Sequence, residues 1–382
     1  MDFGFSEEQR LIQDSAKKFL VKECPKEKVR ELEKSDSGHD RDIWRKMAEL
    51  GWMGIVFPEE CGGTCGEFTD LIILMEEMGR NILPSPFLST MVCSLAILQY
   101  GSEEQKRKYL PEIAEGKAIW ALALTEASSP YKASGIETHA SAKGEEYVLD
   151  GTKVFIPDAS VADRFLVVAR TGKGAKPEDG ITVFIVDAKN PNIKIGVIPT
   201  TAHDKQCEVR FEKVKVPKSS ILGKANKGWD IAEFMLQRGA VLKCAEISGA
   251  AQAALEITND YAKKRVQFDR PIGSFQAIQH KLADMLTDIE GLKYLVYEAG
   301  WKIGAGDTSG LPASIVKVRA NEVYERVCID CVKTHGAMGF TDECDIGLYF
   351  RRVKSNQFAF GDTDSHRERI AAELERYSPP EL

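Results

Sequence analysis

Glu145–Ile156, EEYVLDGTKVFI, places aromatic and aliphatic residues at a spacing of two on either side of Asp150-Gly151. That cadence is the signature of a strand. It returns in DRFLVVART (163–171), GITVFIVDA (180–188), IKIGVIP (193–199) and EVRFEKVKVP (208–217), each bounded by Gly, Pro, Asp or Asn. The pattern predicts a compact β domain of six to eight strands over residues 119–225, with a hairpin turn at Asp150-Gly151.

On both sides the period changes to that of helices. Residues 1–118 hold SEEQRLIQDSAKKFLVKEC from Ser6, with an N-cap followed by acids in the first turn, and DIWRKMAELG, which stops near Gly51. FTDLIILMEEMGR (68–80) and SPFLSTMVCSLAILQYG (85–101) are apolar on most faces, and SEEQKRKYLPEIAEG starts from a second N-cap, Ser102. Residues 226–382 hold long helical segments from Asp230 to about Lys264, Ser274 to about Ala305, and Pro312 to about Thr334. The fold class expected is α+β and multi-domain: an N-terminal helical domain (1–118), a central β-barrel-like domain (119–225) and a C-terminal four-helix bundle (226–382).

The bulk numbers narrow the function. The chain has 382 residues, 43% hydrophobic and 29% charged, with a net charge of −7 and no basic run, which disfavours a nucleic-acid partner. No apolar run approaches the ~20 residues that cross a bilayer, and the acidic start MDFGFSEEQR does not read as a signal peptide. The protein reads as cytoplasmic. Nine cysteines are scattered along it; Cys328-x-x-Cys331 lies in a helical run and reads as buried thiols, as do Cys61 and Cys65 beside a Gly-Gly turn. The six histidines are isolated, so no metal site is expected. Neither G-x-G-x-x-G, Walker A nor G-x-S-x-G is present.

Three segments carry chemistry. ALALTEASSP (121–130) runs an apolar strand into Thr125-Glu126 and small residues. KKRVQFDRPIGSFQAIQHKLADM (263–285) places basic residues at a helix end before a turn and a new helix, a plausible pyrophosphate clamp. KTHGAMGFTDECDIGLYFRR (333–352) has glycines three apart after a helix. With LGWMGIVFPEECGG (50–63) and GSEEQKRKYLPEIAEGK (101–117), these segments resemble the acyl-CoA dehydrogenase family over essentially the whole chain.

The resemblance implies FAD between the β domain and the C-terminal bundle, and an acyl-CoA substrate against it. It implies hydride transfer to flavin N5, a carboxylate base, electron-transfer flavoprotein as acceptor, and a homotetramer. Residue by residue, Leu124 and Thr125 would line the flavin ring edge and Phe155 would face the ring. Arg265, Gln267, Phe268 and Gln276 would hold pyrophosphate and adenosine of a neighbouring subunit, with Gly336 near the same phosphates. Thr90 and Met91, on a helix expected to line the acyl pocket, would meet substrate, as would Tyr131.

The departures are as informative. Pro130-Tyr131-Lys132 stands where the family has Gly-Ser-Asp; Pro157 replaces a Thr, and Lys333 replaces a Gln. The family's Glu base aligns with Phe360, or with Gly361 after a one-residue shift, and a minority position on the first C-terminal helix aligns with Gly239 or Ala240. None can take a proton. Asp362 and Asp364 are the nearest acids; Asp364 could also cap the helix that follows. Three readings follow. The chain oxidises a non-standard CoA thioester with the base elsewhere, similar to the cyclohexene-carboxyl-CoA dehydrogenases of anaerobic aromatic metabolism, whose α-carbon is already sp². Alternatively the flavoenzyme expels a leaving group, or the chain is a silent acyl-CoA-binding subunit. Glu246 is expected to pair with a basic residue of a neighbouring helix.

Overall fold

The computed structural model describes residues 4–128 and 131–376. Ser129 and Pro130, and with them part of the Pro130-Tyr131-Lys132 departure, lie outside the described residues. The helices are α1 (Glu7–Glu23), α2 (Lys26–Lys34), α3 (Arg41–Glu49), α4 (Phe68–Asn81), α5 (Phe87–Tyr100), α6 (Glu103–Ala114), α7 (Trp229–Lys264), α8 (Gln276–Gly304), α9 (Leu311–His335), α10 (Asp345–Phe358) and α11 (Thr363–Arg376). The strands are β1 (Trp120–Ala123), β2 (His139–Lys143), β3 (Glu146–Pro157), β4 (Arg164–Arg170), β5 (Ile181–Asp187), β6 (Ile193–Ile198), β7 (Gln206–Pro217), β8 (Ile221–Leu222), β9 (Val266–Gln267) and β10 (Arg270–Pro271).

The caps sit where the sequence places them. Ser6 and Ser102 each close a capping box with the Gln three residues on. The chain leaves α3 through Gly51 at φ +77°, a conformation that costs glycine least.

Two compact units form, and they interleave along the chain. One contains residues 1–30, 68–83 and 240–382; the other contains residues 31–67 and 84–239. In the first, α4 packs on α1 and α8, and α9 packs on α8, α10 and α11. Glycines bring α4 and α7 into backbone contact: a Cβ on Gly79 would fall 1.9 Å from the Glu246 carbonyl oxygen, and one on Gly249 would fall 1.8 Å from that of Glu76.

In the second unit the strands form one eight-stranded sheet in the order β6-β7-β3-β2-β4-β5-β8, with β1 pairing parallel to β4. Its core is Phe165, Phe184, Phe211, Val209, Leu149 and their aliphatic neighbours.

Asp150-Gly151 does not turn the chain, contrary to the hairpin expectation. β3 runs straight through it, pairing with β2 on one side and β7 on the other, with a register shift between Leu149 and Gly151. Glycine is required there for proximity: a Cβ on Gly151 would lie 2.7 Å from Thr138 Cα. Two ladders outweigh one dipeptide's turn preference. No helix among the described residues is long and apolar enough to cross a membrane.

Candidate active site

In the second unit, β1 delivers Leu124, Thr125 and Glu126 to the end of the sheet, all buried. The Thr125 hydroxyl donates to the Val154 carbonyl at 2.5 Å, and Val154 N donates back to the Thr125 carbonyl at 2.9 Å. Thr125 Oγ1 therefore meets a ligand as an acceptor only.

Lys153, with no exposed surface, donates to Glu126 Oε1 at 2.6 Å and to the Leu124 carbonyl at 2.9 Å. Glu126 also accepts from the backbone N–H groups of Glu137 and Thr138. Burial lowers the lysine to about 8, and the glutamate's charge and hydrogen bond oppose that fall. The sequence reading missed Lys153; its signal was a lysine in an otherwise apolar half of β3. The ion pair fixes the β1 end to β3 and so fixes the residue two places on.

That residue is Phe155, at φ +53° within a second register shift of β3, its ring 59% exposed. The bulge turns an aromatic outward from a strand whose neighbours Lys153 and Ile156 are buried. Pro157 pairs with Gln206 at the strand's end. Tyr131 is half-buried at φ +64°.

Thr90 and Met91 on α5 are wholly buried, and the Thr90 hydroxyl accepts from Trp120 N at 3.2 Å.

In the first unit, α7 ends in Lys263 and Lys264 and reverses through the β9–β10 hairpin. The two turn residues, Phe268 and Asp269, have φ of +52° and +60°, the pattern of a two-residue primed turn. Arg265, Gln267 and Gln276 are exposed, and Phe268 is 86% exposed. A cavity of about 540 Å³ opens beside them, lined by Asn259, Lys263, Gly273, Ser274 and Gln279 among others. Gly336, the C-cap of α9 at φ +63°, has open space around it, and Lys333 is exposed. Cationic and amide donors on an exposed hairpin beside open volume fit an anionic dinucleotide, and Phe155 fits a flat ring system.

The stretch where the family resemblance would put the base is built in detail. α10 ends at Phe358; Phe360 follows at φ +58° and Gly361 at φ +113°. His366, 1% exposed, lies against Gly361. Its Nε2 is 3.1 Å from the Phe360 carbonyl, which can only accept, so Nε2 carries the proton and Nδ1 accepts from Ser314 Oγ at 3.2 Å. Burial, then the charges of Arg369 and Lys317, push His366 down to about 4, so the ring is neutral.

Lys317, fully buried on α9, donates to Asn321 Oδ1 and the Asn356 carbonyl at 2.7 Å each and to the Gln357 carbonyl at 3.2 Å. Asn321 reaches Thr363 Oγ1 at 3.1 Å. The loop is thus held from below by α9 and from the side by α11.

A Cβ on Gly361 would approach His366 Nε2 to 2.7 Å, in a backbone region that side-chain-bearing residues avoid. No glutamate fits there without rearrangement. At the alternative alignment the side chain is the half-buried Phe360 ring.

The cap of α11 is Asp362, whose Oδ1 accepts from Ser365 N at 2.8 Å. Asp364, expected as a possible cap, stands two residues too far along; it faces solvent and pairs with Arg367 at 3.4 Å. On α7, Gly239 and Ala240 are buried. Glu246 pairs with Lys243 of its own helix at 2.7 Å, not with a neighbouring helix, because i,i+3 geometry already supplies a cation. Cys328 and Cys331 are buried on α9 and their thiols are driven up, Cys331 to about 12. No group of three metal-capable side chains occurs among the described residues.

Comparison with known proteins agrees along the chain's length. The acyl-CoA dehydrogenase N-terminal domain matches residues 6–117, the middle domain 121–214 and the C-terminal domain 226–375. The caffeyl-CoA reductase–Etf complex subunit CarC of Acetobacterium woodii is 35% identical, over 91% of this chain and 93% of that protein. Butyryl-CoA dehydrogenase from Megasphaera elsdenii superposes with a TM-score of 0.91 at 31% identity, covering 98% of this chain and 100% of that one. The ChsE4-ChsE5 complex from Mycobacterium tuberculosis gives a TM-score of 0.90 at 28% identity, covering 99% and 100%. The chain therefore belongs to the acyl-CoA dehydrogenase family, FAD-dependent oxidoreductases that act on CoA thioesters.

Proposed function

We propose that this enzyme oxidises a non-standard acyl-CoA thioester, of the alicyclic cyclohexane- or cyclohexene-carboxyl type, with the proton leaving from a position the usual glutamate does not serve. The observation that carries the reading is the closed Phe360–Gly361 loop: His366 occupies the space beside Gly361, and no carboxylate stands at either aligned position. A well-placed general base contributes ~10²–10⁴ in rate, so its absence argues for a substrate that gives no α-proton to that position; in the cyclohexene-carboxyl case the α-carbon is sp² and has none to give. FAD, when bound, supplies the two-electron acceptor. This chain's residues supply the aromatic Phe155, the acceptor Thr125 and the exposed Arg265–Gln276 segment. Asp362 is the replacement base closest to the vacated position, although it also caps α11. Electron-transfer flavoprotein is the acceptor the reading favours, in line with the Etf complex to which the caffeyl-CoA reductase relative belongs. Exposed Phe268, Val266, Met338 and Phe340 favour a homo-oligomer. A cytoplasmic location goes with it.

The test is anaerobic flavin bleaching against straight, branched and cyclic acyl-CoAs. Cyclohexane- or cyclohexene-carboxyl-CoA should bleach at least tenfold faster than butyryl- or octanoyl-CoA. Rapid bleaching by the straight chains rejects the substrate assignment. A second reading, a silent subunit beside an active partner, draws on the same loop and on the similarity to the two-component ChsE4-ChsE5 assembly. A chain purified colourless and unable to take up FAD favours it.

A further inference from the structure

Half-buried arginines in this protein are matched. Arg30 pairs with Asp345, Arg80 with Glu256, Arg164 with Glu112 and Arg319 with Asp288, while Arg170 donates to four carbonyls. Arg238, on α7, has no such partner among the described residues. Its guanidinium lies 3.4 Å from the centre of the Phe234 ring, one helical turn earlier, and no carboxylate lies within ion-pair distance of it among the described residues. Burial pulls it down to about 10, opposed only by the neighbouring Tyr100 phenol. A desolvated cation without a counter-ion is costly in a chain carrying 58 acids.

Its surroundings add to this. Tyr100, the last residue of α5, meets Phe234 edge to face at 5.2 Å. Glu233, the acid nearest Arg238 along α7, is half-buried and makes no ion pair with it, while Asp230 acts on Tyr100 and is exposed. Tyr100 also walls a cavity of about 660 Å³ whose charged lining is Lys108, Lys218 and Lys224 against one acid, Glu104. Lys218 is matched by Glu145 at 3.0 Å, but Lys224 has no carboxylate partner among the described residues. The volume is that of a small-molecule site, and its field is positive. An aromatic ring covers one side of the guanidinium, and its planar fork of donors suits a carboxylate in two-point contact.

We propose that Arg238 is a specificity residue for a carboxylate carried on the acyl group, at the end remote from the thioester, with Phe234 and Tyr100 as its aromatic wall. The inference rests on the reading that this chain binds CoA thioesters, and deepens it by naming a substrate class. α5, the helix expected to line the acyl chain, ends at this cluster, so a carboxylated acyl group would leave its charge there.

The test is calorimetric binding to the FAD-loaded protein, a readout that needs no turnover. Probes are ω-carboxyacyl-CoAs from succinyl- to suberyl-CoA, each against the neutral acyl-CoA of equal length, with coenzyme A as control. At one chain length the carboxylated thioester should bind about ten- to a hundredfold tighter, the range of a charge-assisted hydrogen-bonded pair. Arg238→Met should abolish that preference and change neutral acyl-CoA affinity less than twofold; Arg238→Lys should keep part of it. Thermal unfolding of each variant checks that the fold is intact, and a preference that persists in any folded variant without the guanidinium overturns the proposal. Equal affinity for charged and neutral thioesters at every length overturns it too, while leaving the thioester reading intact. Failure of every thioester to bind more tightly than coenzyme A overturns both. A preference for hydroxycinnamoyl- over cinnamoyl-CoA that vanishes in Arg238→Met, with no carboxylate preference, replaces the carboxylate with a phenol and overturns the assignment.

Discussion

Phe360 and Gly361 are the two residues on which the proposed chemistry turns, and neither can serve as a base, for different reasons. Phe360 has a side chain but no proton-accepting group. Gly361 has neither a side chain nor room for one, with His366 Nε2 2.7 Å from where its Cβ would be. The two substitutions therefore separate. Phe360→Glu should fold and raise the rate of butyryl-CoA dehydrogenation tenfold or more in a dye-reduction assay. Gly361→Glu should gain no activity and lower stability by about 2–4 kcal/mol in denaturant unfolding, combining left-handed strain with a clash. The sequence count falls on Phe360, and on Gly361 only after a one-residue shift; the φ of +113° and the packing show how differently the two would take a side chain. Asp362 shows the same limit. The sequence announces a cap near the start of α11, but choosing between acids two apart needs the helix's first N–H groups in place, and Ser365 N selects Asp362.

Among the elements, α9 and α11 clamp the loop through Lys317 and His366. His366 is held neutral, its folded value near 4 against an ordinary 6.5, so the unfolded chain binds more protons between those values. The stability it contributes is complete above pH ~6.5 and is lost as pH falls toward 4, an effect on the order of 2–3 kcal/mol. His366→Gln, whose amide can donate to Phe360 and accept from Ser314, should flatten the acid limb of a stability–pH profile measured by urea unfolding. An unchanged limb would reject this account of the clamp. The helices themselves were legible: Ser6, Ser102 and Gly51 mark their ends because caps are local chemistry. The hairpin reading of Asp150-Gly151 failed because strand pairing is not local; Thr138 beside Gly151 lies 13 residues earlier in the chain. The Lys153–Glu126 pair was invisible for the same reason, since its partners are 27 residues apart.

For the whole molecule, the motifs read along the chain point to the family that the matched domains show, so the family was legible from sequence. The compact units were not, because helices from the first hundred residues divide between them. Surface apolarity belongs to this scale too. Phe268 stands 86% exposed at the tip of a rigid two-residue turn, near basic and amide groups suited to a dinucleotide. Phe268→Glu should shift the sedimentation coefficient toward smaller species and weaken FAD retention on gel filtration at least fivefold. Intact assembly with full flavin would remove the hairpin from the interface.

The glycine contact between α4 and α7 has a mechanical corollary. Gly249 is a pivot without padding, and Arg265 sits 16 residues beyond it, roughly 24 Å along the axis. A tilt of about 5° at the pivot would swing that tip by ~2 Å, two-thirds of a hydrogen bond's length. A single methyl group at Gly79 or Gly249 would thus be felt less at the crossing than at the far tip, where leverage converts a local bump into a misaimed guanidinium.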